Sequence, residues 1–114
     1  AVSIAQAYFE PNAWFRAIYA DATPVGFLML ALNRAKGICY LWRFMIDERY
    51  QGLGYGRRAL HLAIDYAREA TDAEIITGSY SPGEHSAASF YHKFGFWETG
   101  EIDEGEVVIK YKLR

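Results

Sequence analysis

A single cysteine, Cys39, rules out an intrachain disulfide and any metal site built from several thiolates. It sits in an apolar strand pattern, where a thiol is ordinarily buried and inert. The longest apolar run, Val25 to Leu32, is far shorter than the roughly 20 residues a membrane span needs. No charged-then-apolar signal peptide opens the chain, so no membrane partner is expected and a cytoplasmic enzyme or binding module fits best. A net charge of −2 gives no broad basic surface for nucleic acid. His61 and His85 have no partner at metal-ligand spacing, and no metal is expected. Repeats, low-complexity tracts and linkers are absent. The chain also starts without Met, at Ala1 inside a helix-like segment, as a truncated, processed or partial chain would.

The chain does hold enough apolar material for a core. Its 114 residues fit one domain, with 52% hydrophobic and 23% charged residues. Aromatics reach 17% and serve either a packed core or a ligand cleft. Ser3 to Phe9 reads as a short helix closed by Pro11. Ala13 to Ala20 reads as a strand, and Val25 to Leu32 as a strand covered on both faces. Ile38 to Ile46 alternates, placing Ile38, Tyr40, Trp42, Phe44 and Ile46 on one face and Arg43 on the other. Helical spacing follows over Gly56 to Thr71, with Leu60, Ala63, Ile64 and Ala67 inward. Glu74 to Tyr80 is a strand, Ser86 to Phe94 a helix ending at Gly95, and Val107 to Leu113 a final strand. The order β-β-β-α-β-α-β predicts a mixed α/β or α+β domain.

The stretch Gln51-Gly52-Leu53-Gly54-Tyr55-Gly56-Arg57-Arg58 joins a strand to a helix through three alternate glycines. Such a junction presents free N–H groups at the positive end of a helix dipole, a site for an anion. Two arginines in the first helical turn are unfavourable there unless a negative ligand joins them. No Gly-Lys-Ser/Thr follows, so this is not a P-loop, and the spacing is not that of a dinucleotide fingerprint. A tight turn that needs positive φ is the plainer alternative.

Gln51-x-x-Gly54-x-Gly56 resembles the Q/R-x-x-G-x-G/A signature of the GNAT N-acetyltransferases. Phe90-Tyr91-His92-Lys93-Phe94-Gly95-Phe96 is similar to that family's later motif, an aromatic-Tyr pair four residues before Gly-Phe. The resemblance covers roughly Val25 to Leu113. Trp42-Arg43-Phe44-Met45-Ile46-Asp47 further resembles a branch containing polyamine acetyltransferases. The implied fold is GNAT-like, a central mostly antiparallel sheet flanked by helices. Two departures stand out. The usual first strand and helix are expected to be missing, which leaves apolar surface for a homodimer to cover. Glu84 also stands where the family often has Asn, so that pantetheine contact is not carried over.

The resemblance implies acetyl-CoA as cosubstrate and a small amine, such as a polyamine, as acceptor. It implies a gap where Phe44-Met45-Ile46 leaves a parallel neighbour, Ile75 to Tyr80, with an oxyanion donor near Met45. Gln51, Gly52, Leu53, Gly54, Tyr55, Gly56 and Arg57 would form the pyrophosphate site, with Arg57 or Arg58 adding charge. Tyr91 is the candidate general acid for the coenzyme thiolate. His92 and Lys93 are read as surface residues, Lys93 also as a weak phosphate contact. No base is identified: Glu10, Asp47, Glu48 and Glu84 all lie near the motifs, and each also fits a solvated charge. The acidic stretch Glu98, Glu101, Asp103, Glu104, Glu106 suits a polycationic acceptor, and a solvated loop or hairpin explains it equally well. A catalytically silent acyl-CoA-binding or sensory domain of the same fold is the competing expectation.

Overall fold

The computed structural model describes residues 13–114, so the helix expected over Ser3 to Phe9, and Glu10, lie outside the described residues. Among the described residues six strands form one sheet: β1 (Ala13–Ala20), β2 (Thr23–Asn33), β3 (Ile38–Ile46), β4 (Ile75–Tyr80), β5 (Trp97–Asp103) and β6 (Glu106–Lys112). The helices are α1 (Tyr55–Ala70), between β3 and β4, and α2 (Ala88–Phe94), between β4 and β5. Strand order is β1-β2-β3-β4-β6-β5. Every neighbouring pair is antiparallel except β3 and β4, which run parallel. The α+β architecture expected from the sequence is the one observed.

β2 lies between β1 and β3, and Leu28, Met29, Leu30 and Ala31 are buried in succession. A strand covered on both faces has this pattern. Leu60, Ala63, Ile64 and Ala67 are the buried residues of α1, the four that helical spacing selects. They pack with Leu28, Leu30, Cys39, Leu41 and Ile76 from the sheet. Cys39 is buried, and burial pushes its thiol up to about 11, which makes it a poor nucleophile.

Strict alternation fails in β3. Met29 pairs with Arg43 but Leu30 pairs with Leu41, so Trp42 is an extra residue, a β-bulge. Cys39 and Leu41 enter the core beneath α1, and after the bulge Phe44 packs against that core. The single face expected from Ile38 through Ile46 is therefore corrected, because one inserted residue reverses the phase of a period-two pattern.

The bulge bends β3 where it parts from β4. The parallel pairing comprises only Ile38 with Ile75, Cys39 with Ile76 and Tyr40 with Thr77. Beyond them β3 pairs with β2 alone and β4 with β6 alone, which leaves a wedge-shaped gap between the strands.

β5 is missing from the strands expected. Its seven residues are all exposed at the sheet edge, and its pairing with β6 is interrupted between Glu98 and Ile102. The acidic stretch is thus a β-hairpin, and its charges protect an open edge from pairing with other chains.

Candidate active site

The glycine loop follows a short 3-10 turn, Glu48–Tyr50, whose cap is Asp47. Asp47 Oδ1 accepts from the Arg49 N–H across 2.9 Å, and the hydrogen-bonded Arg49 guanidinium holds that carboxyl below the usual range. Asp47 is thereby occupied as a cap and ion-pair partner. Gln51 Nε2 donates to the Ile46 carbonyl across 2.9 Å, so the first residue of the signature ties the loop to the end of β3.

Gly52 and Gly54 take φ of 77° and 86°, a region that favours glycine. A Cβ on either would meet nothing within 4 Å, so the space above the loop is open. Gly56 differs: its φ is ordinary, and a Cβ would touch Ile46 and Phe44 at 3.5 and 3.6 Å. Gly54 caps α1 without a side-chain hydrogen bond, and the first turn holds no acidic residue. The opening N–H groups of this 16-residue helix therefore have no intrahelical acceptor and face open space. Backbone and dipole fit a phosphate.

Phe44, Ile46, Gln51, Gly52, Gly54, Tyr55, Gly56 and Arg57 line one groove of about 430 Å³. Tyr50 and Phe90 complete it, neither of them assigned from the sequence. Leu53 and Met45 are exposed and do not line it. Arg57 and Arg58 separate, Arg57 on this groove and Arg58 on a second one between β1 and α1.

Backbone direction narrows the oxyanion donor. The Asp47 N–H donates to the Val25 carbonyl of β2 across 2.7 Å. Amides alternate edges along a strand, so the Met45 N–H also points toward β2. Those of Phe44 and Ile46 point into the gap. Gly26 allows β2 to pass closely here, since a Cβ on it would collide with the Met45 carbonyl oxygen.

The Phe-Tyr…Gly-Phe motif is a helix terminus that orients Tyr91. Gly95 caps α2 at φ 119°, and the N–H groups of Gly95 and Phe96 both donate to the Tyr91 carbonyl, at 3.1 and 3.0 Å. Phe96 then packs edge-on against the Tyr91 ring at 5.2 Å. Phe90 links this residue to the cradle, 5.3 Å from the Tyr91 ring and 6.0 Å from Phe44.

Tyr91 is 7% exposed, yet its hydroxyl has no hydrogen-bond partner among the described residues. The one sealed and unpartnered side-chain polar atom among them is Trp14 Nε1, so the Tyr91 hydroxyl keeps an opening. Burial, with a smaller effect from Glu106, pushes its pKa up to about 12. His92 sits on the surface, 3.2 Å from Glu98, and Lys93 is exposed. Glu48 and Glu84 are exposed as well. No group of three His, Cys, Asp or Glu among the described residues is placed to hold a metal ion. No helix among them is long and apolar enough to cross a membrane.

Residues 3–96 match the sequence profile of the acetyltransferase (GNAT) family. This chain belongs to the GNAT family. It is 35% identical over 113 residues to the spermine/spermidine N(1)-acetyltransferase of Bacillus subtilis strain 168, covering 93% of this chain and 72% of that protein. A probable spermine N(1)-acetyltransferase of Bacillus subtilis subsp. natto is 33% identical with the same coverage. Among solved structures, the PaiA N-acetyltransferase of Thermoplasma acidophilum, in complex with coenzyme A, superposes with a TM-score of 0.80 at 20% identity. That match covers 96% of this chain and 66% of the other. The IAA acetyltransferase of Bacillus cereus gives a TM-score of 0.79 at 16% identity, with 96% and 85% covered. At these identities the two structures speak to the fold, and the profile and the Bacillus subtilis relatives to the family.

Proposed function

We propose that this GNAT domain transfers the acetyl group of acetyl-CoA to a primary amine of a polyamine. The observation that carries the reading is the gap between β3 and β4, which opens beyond Tyr40 and Thr77 and has the glycine loop at the end of β3. Freed backbone at Phe44 to Ile46 takes the pantetheine amides as a substitute strand. Gln51 fixes the loop, the N–H groups of Gly52 to Arg57 hold the pyrophosphate, and the Arg57 guanidinium adds charge. An N–H of Phe44 or Ile46 stabilises charge on the thioester oxygen, an effect of up to a few kcal/mol.

Tyr91 faces the departing sulfur. With its pKa pushed up to about 12, the phenol is protonated throughout the neutral range. A thiolate, whose thiol has a pKa of roughly 8.5, is a weaker base than this phenolate. Tyr91 therefore stabilises the leaving sulfur by donating a hydrogen bond and retains its own proton. The acceptor reacts as a neutral amine: its nitrogen forms the C–N bond as the C–S bond breaks, the coenzyme leaves as the thiolate, and the proton shed by the nitrogen passes to solvent.

The two Bacillus subtilis relatives, named for spermine and spermidine, support a polyamine as acceptor. The acidic β5–β6 hairpin supports it independently through charge. The reading places the enzyme in the cytoplasm as a homodimer that covers the exposed Tyr19 and Leu62, which sedimentation would measure. Glu84 in place of the family's usual Asn favours one competitor, a catalytically silent acyl-CoA-binding domain. A thiol-release assay with acetyl-CoA and a panel of polyamines, aminoglycosides, amino acids and peptides separates them. Saturable release with spermidine or spermine supports the enzyme, and acetyl-CoA binding without release on the whole panel selects the silent domain.

A further inference from the structure

Glu106 opens β6 at the wide end of the gap. Its two carboxylate oxygens accept from Ser79 Oγ at 2.5 Å and Ser81 Oγ at 3.3 Å. Both partners are neutral. The ion pairs among the described residues are Arg49 with Asp47, Arg68 with Asp65 and His92 with Glu98, so this half-buried carboxylate has no cation beside it. An ionised carboxylate offers about four acceptor positions, and two hydroxyls leave capacity for an ammonium.

Strand alternation fixes which face Glu106 occupies. Ile76 and Tyr80 of β4, and Ile109 of β6, belong to the core beneath the helices. Ser79 and Glu106 fall on the opposite phase, and their hydrogen bond confirms a shared face. The glycine cradle and Phe90 lie on the helix side. A closed sheet would separate the two sides, but here no strand pairs with β4 beyond Thr77 on its β3 side. The buried Tyr91 hydroxyl, unpartnered among the described residues and carried on a ring 6.3 Å from that of Tyr80 at the end of β4, is a second and independent sign of a ligand. Glu106 also contributes, after burial, to raising the Tyr91 pKa. Asp103 pairs directly across from Glu106 on β5 and adds charge of the same sign.

We propose that Glu106, oriented by Ser79 and Ser81, is a specificity residue that docks a non-reacting ammonium of the polyamine on the face opposite the glycine cradle. The proposal rests on the polyamine reading above. Donor and acceptor then enter from opposite faces and meet in the gap.

The test compares spermidine with propylamine, a monoamine without a second charge, in the wild type and in Glu106→Gln. Gln still accepts from a serine hydroxyl, so thermal unfolding and acetyl-CoA affinity are expected to stay near wild type. The KM for spermidine should rise at least tenfold with kcat within about threefold, and the KM for propylamine should stay within about twofold. An unchanged spermidine KM, or equal rises for both amines, would overturn the proposal. A second measurement needs no variant: the Glu106 side-chain carboxyl ¹³C resonance of the wild type should shift on adding spermidine and stay in place with propylamine. No shift with spermidine would overturn it too. If wild-type protein acetylates neither polyamine, the functional reading fails instead, which the same assay shows first.

Discussion

The Gln51 side chain donates to the Ile46 carbonyl across 2.9 Å, and this bond joins the glycine loop, the proposed phosphate cradle, to the strand that bounds the gap. Ile46 is the last residue of β3, and its amide faces the gap. The first residue of the signature thus acts by fixing the loop's position against the strand. Removing it leaves the loop backbone intact but loosely attached.

Gln51→Ala is therefore expected to raise the KM for acetyl-CoA roughly five- to tenfold, the equivalent of about 1 kcal/mol for one hydrogen bond. kcat should change less than KM. Steady-state kinetics with varied acetyl-CoA checks this, and an unchanged KM would remove Gln51 from the donor site.

The three loop glycines are not equivalent. Gly54→Val forces a branched residue to φ 86° and fills open space, with backbone strain of roughly 1–2 kcal/mol. Acetyl-CoA affinity should fall at least tenfold by calorimetry. Gly56→Ala meets only ordinary contacts of 3.5 Å and beyond, so affinity should stay within about threefold. Equal losses at both positions would contradict the cradle described for the loop.

Alkaline stability follows from two buried acids. Burial raises Cys39 from its ordinary 9.0 to about 11, and burial with Glu106 raises Tyr91 from 10.0 to about 12. The folded state favours the proton-bound form of each. Their stabilisation is complete below pH 9 and is lost as pH climbs from 9 to 12, on the order of 2–3 kcal/mol per group. Thermal unfolding between pH 8 and 11 should show a falling Tm, with a shallower fall in Cys39→Ala. A flat profile in the wild type would show that neither group is held as described.

How much of this was legible in the sequence depends on the kind of signal each element leaves. The α1 core face was read residue for residue, because Leu60, Ala63, Ile64 and Ala67 keep helical spacing without interruption. The glycine loop was legible because glycine at positive φ and arginine at a helix N-terminus are both costly without a reason. The bulge at Trp42 was not, since an inserted residue leaves an alternating pattern that still looks regular on either side. β5 was hidden for another cause: Trp97–Asp103 is exposed throughout, so nothing selects an apolar face. Glu106 was legible only as one of a run of acidic residues suited to a polycation. Only the register of β6 against β4 sets it apart, by bringing it to Ser79 and Ser81.

Tyr91→Phe tests the account most directly, with spermidine turnover and acetyl-CoA affinity measured on the same preparation. The variant keeps the ring against Phe90 and Phe96 and removes only a hydroxyl that has no partner among the described residues. Turnover should fall at least tenfold, the scale of losing a donor that acts on developing charge, while the Kd for acetyl-CoA stays within about twofold. Wild-type turnover in Tyr91→Phe would contradict the account and place the chemistry outside the gap.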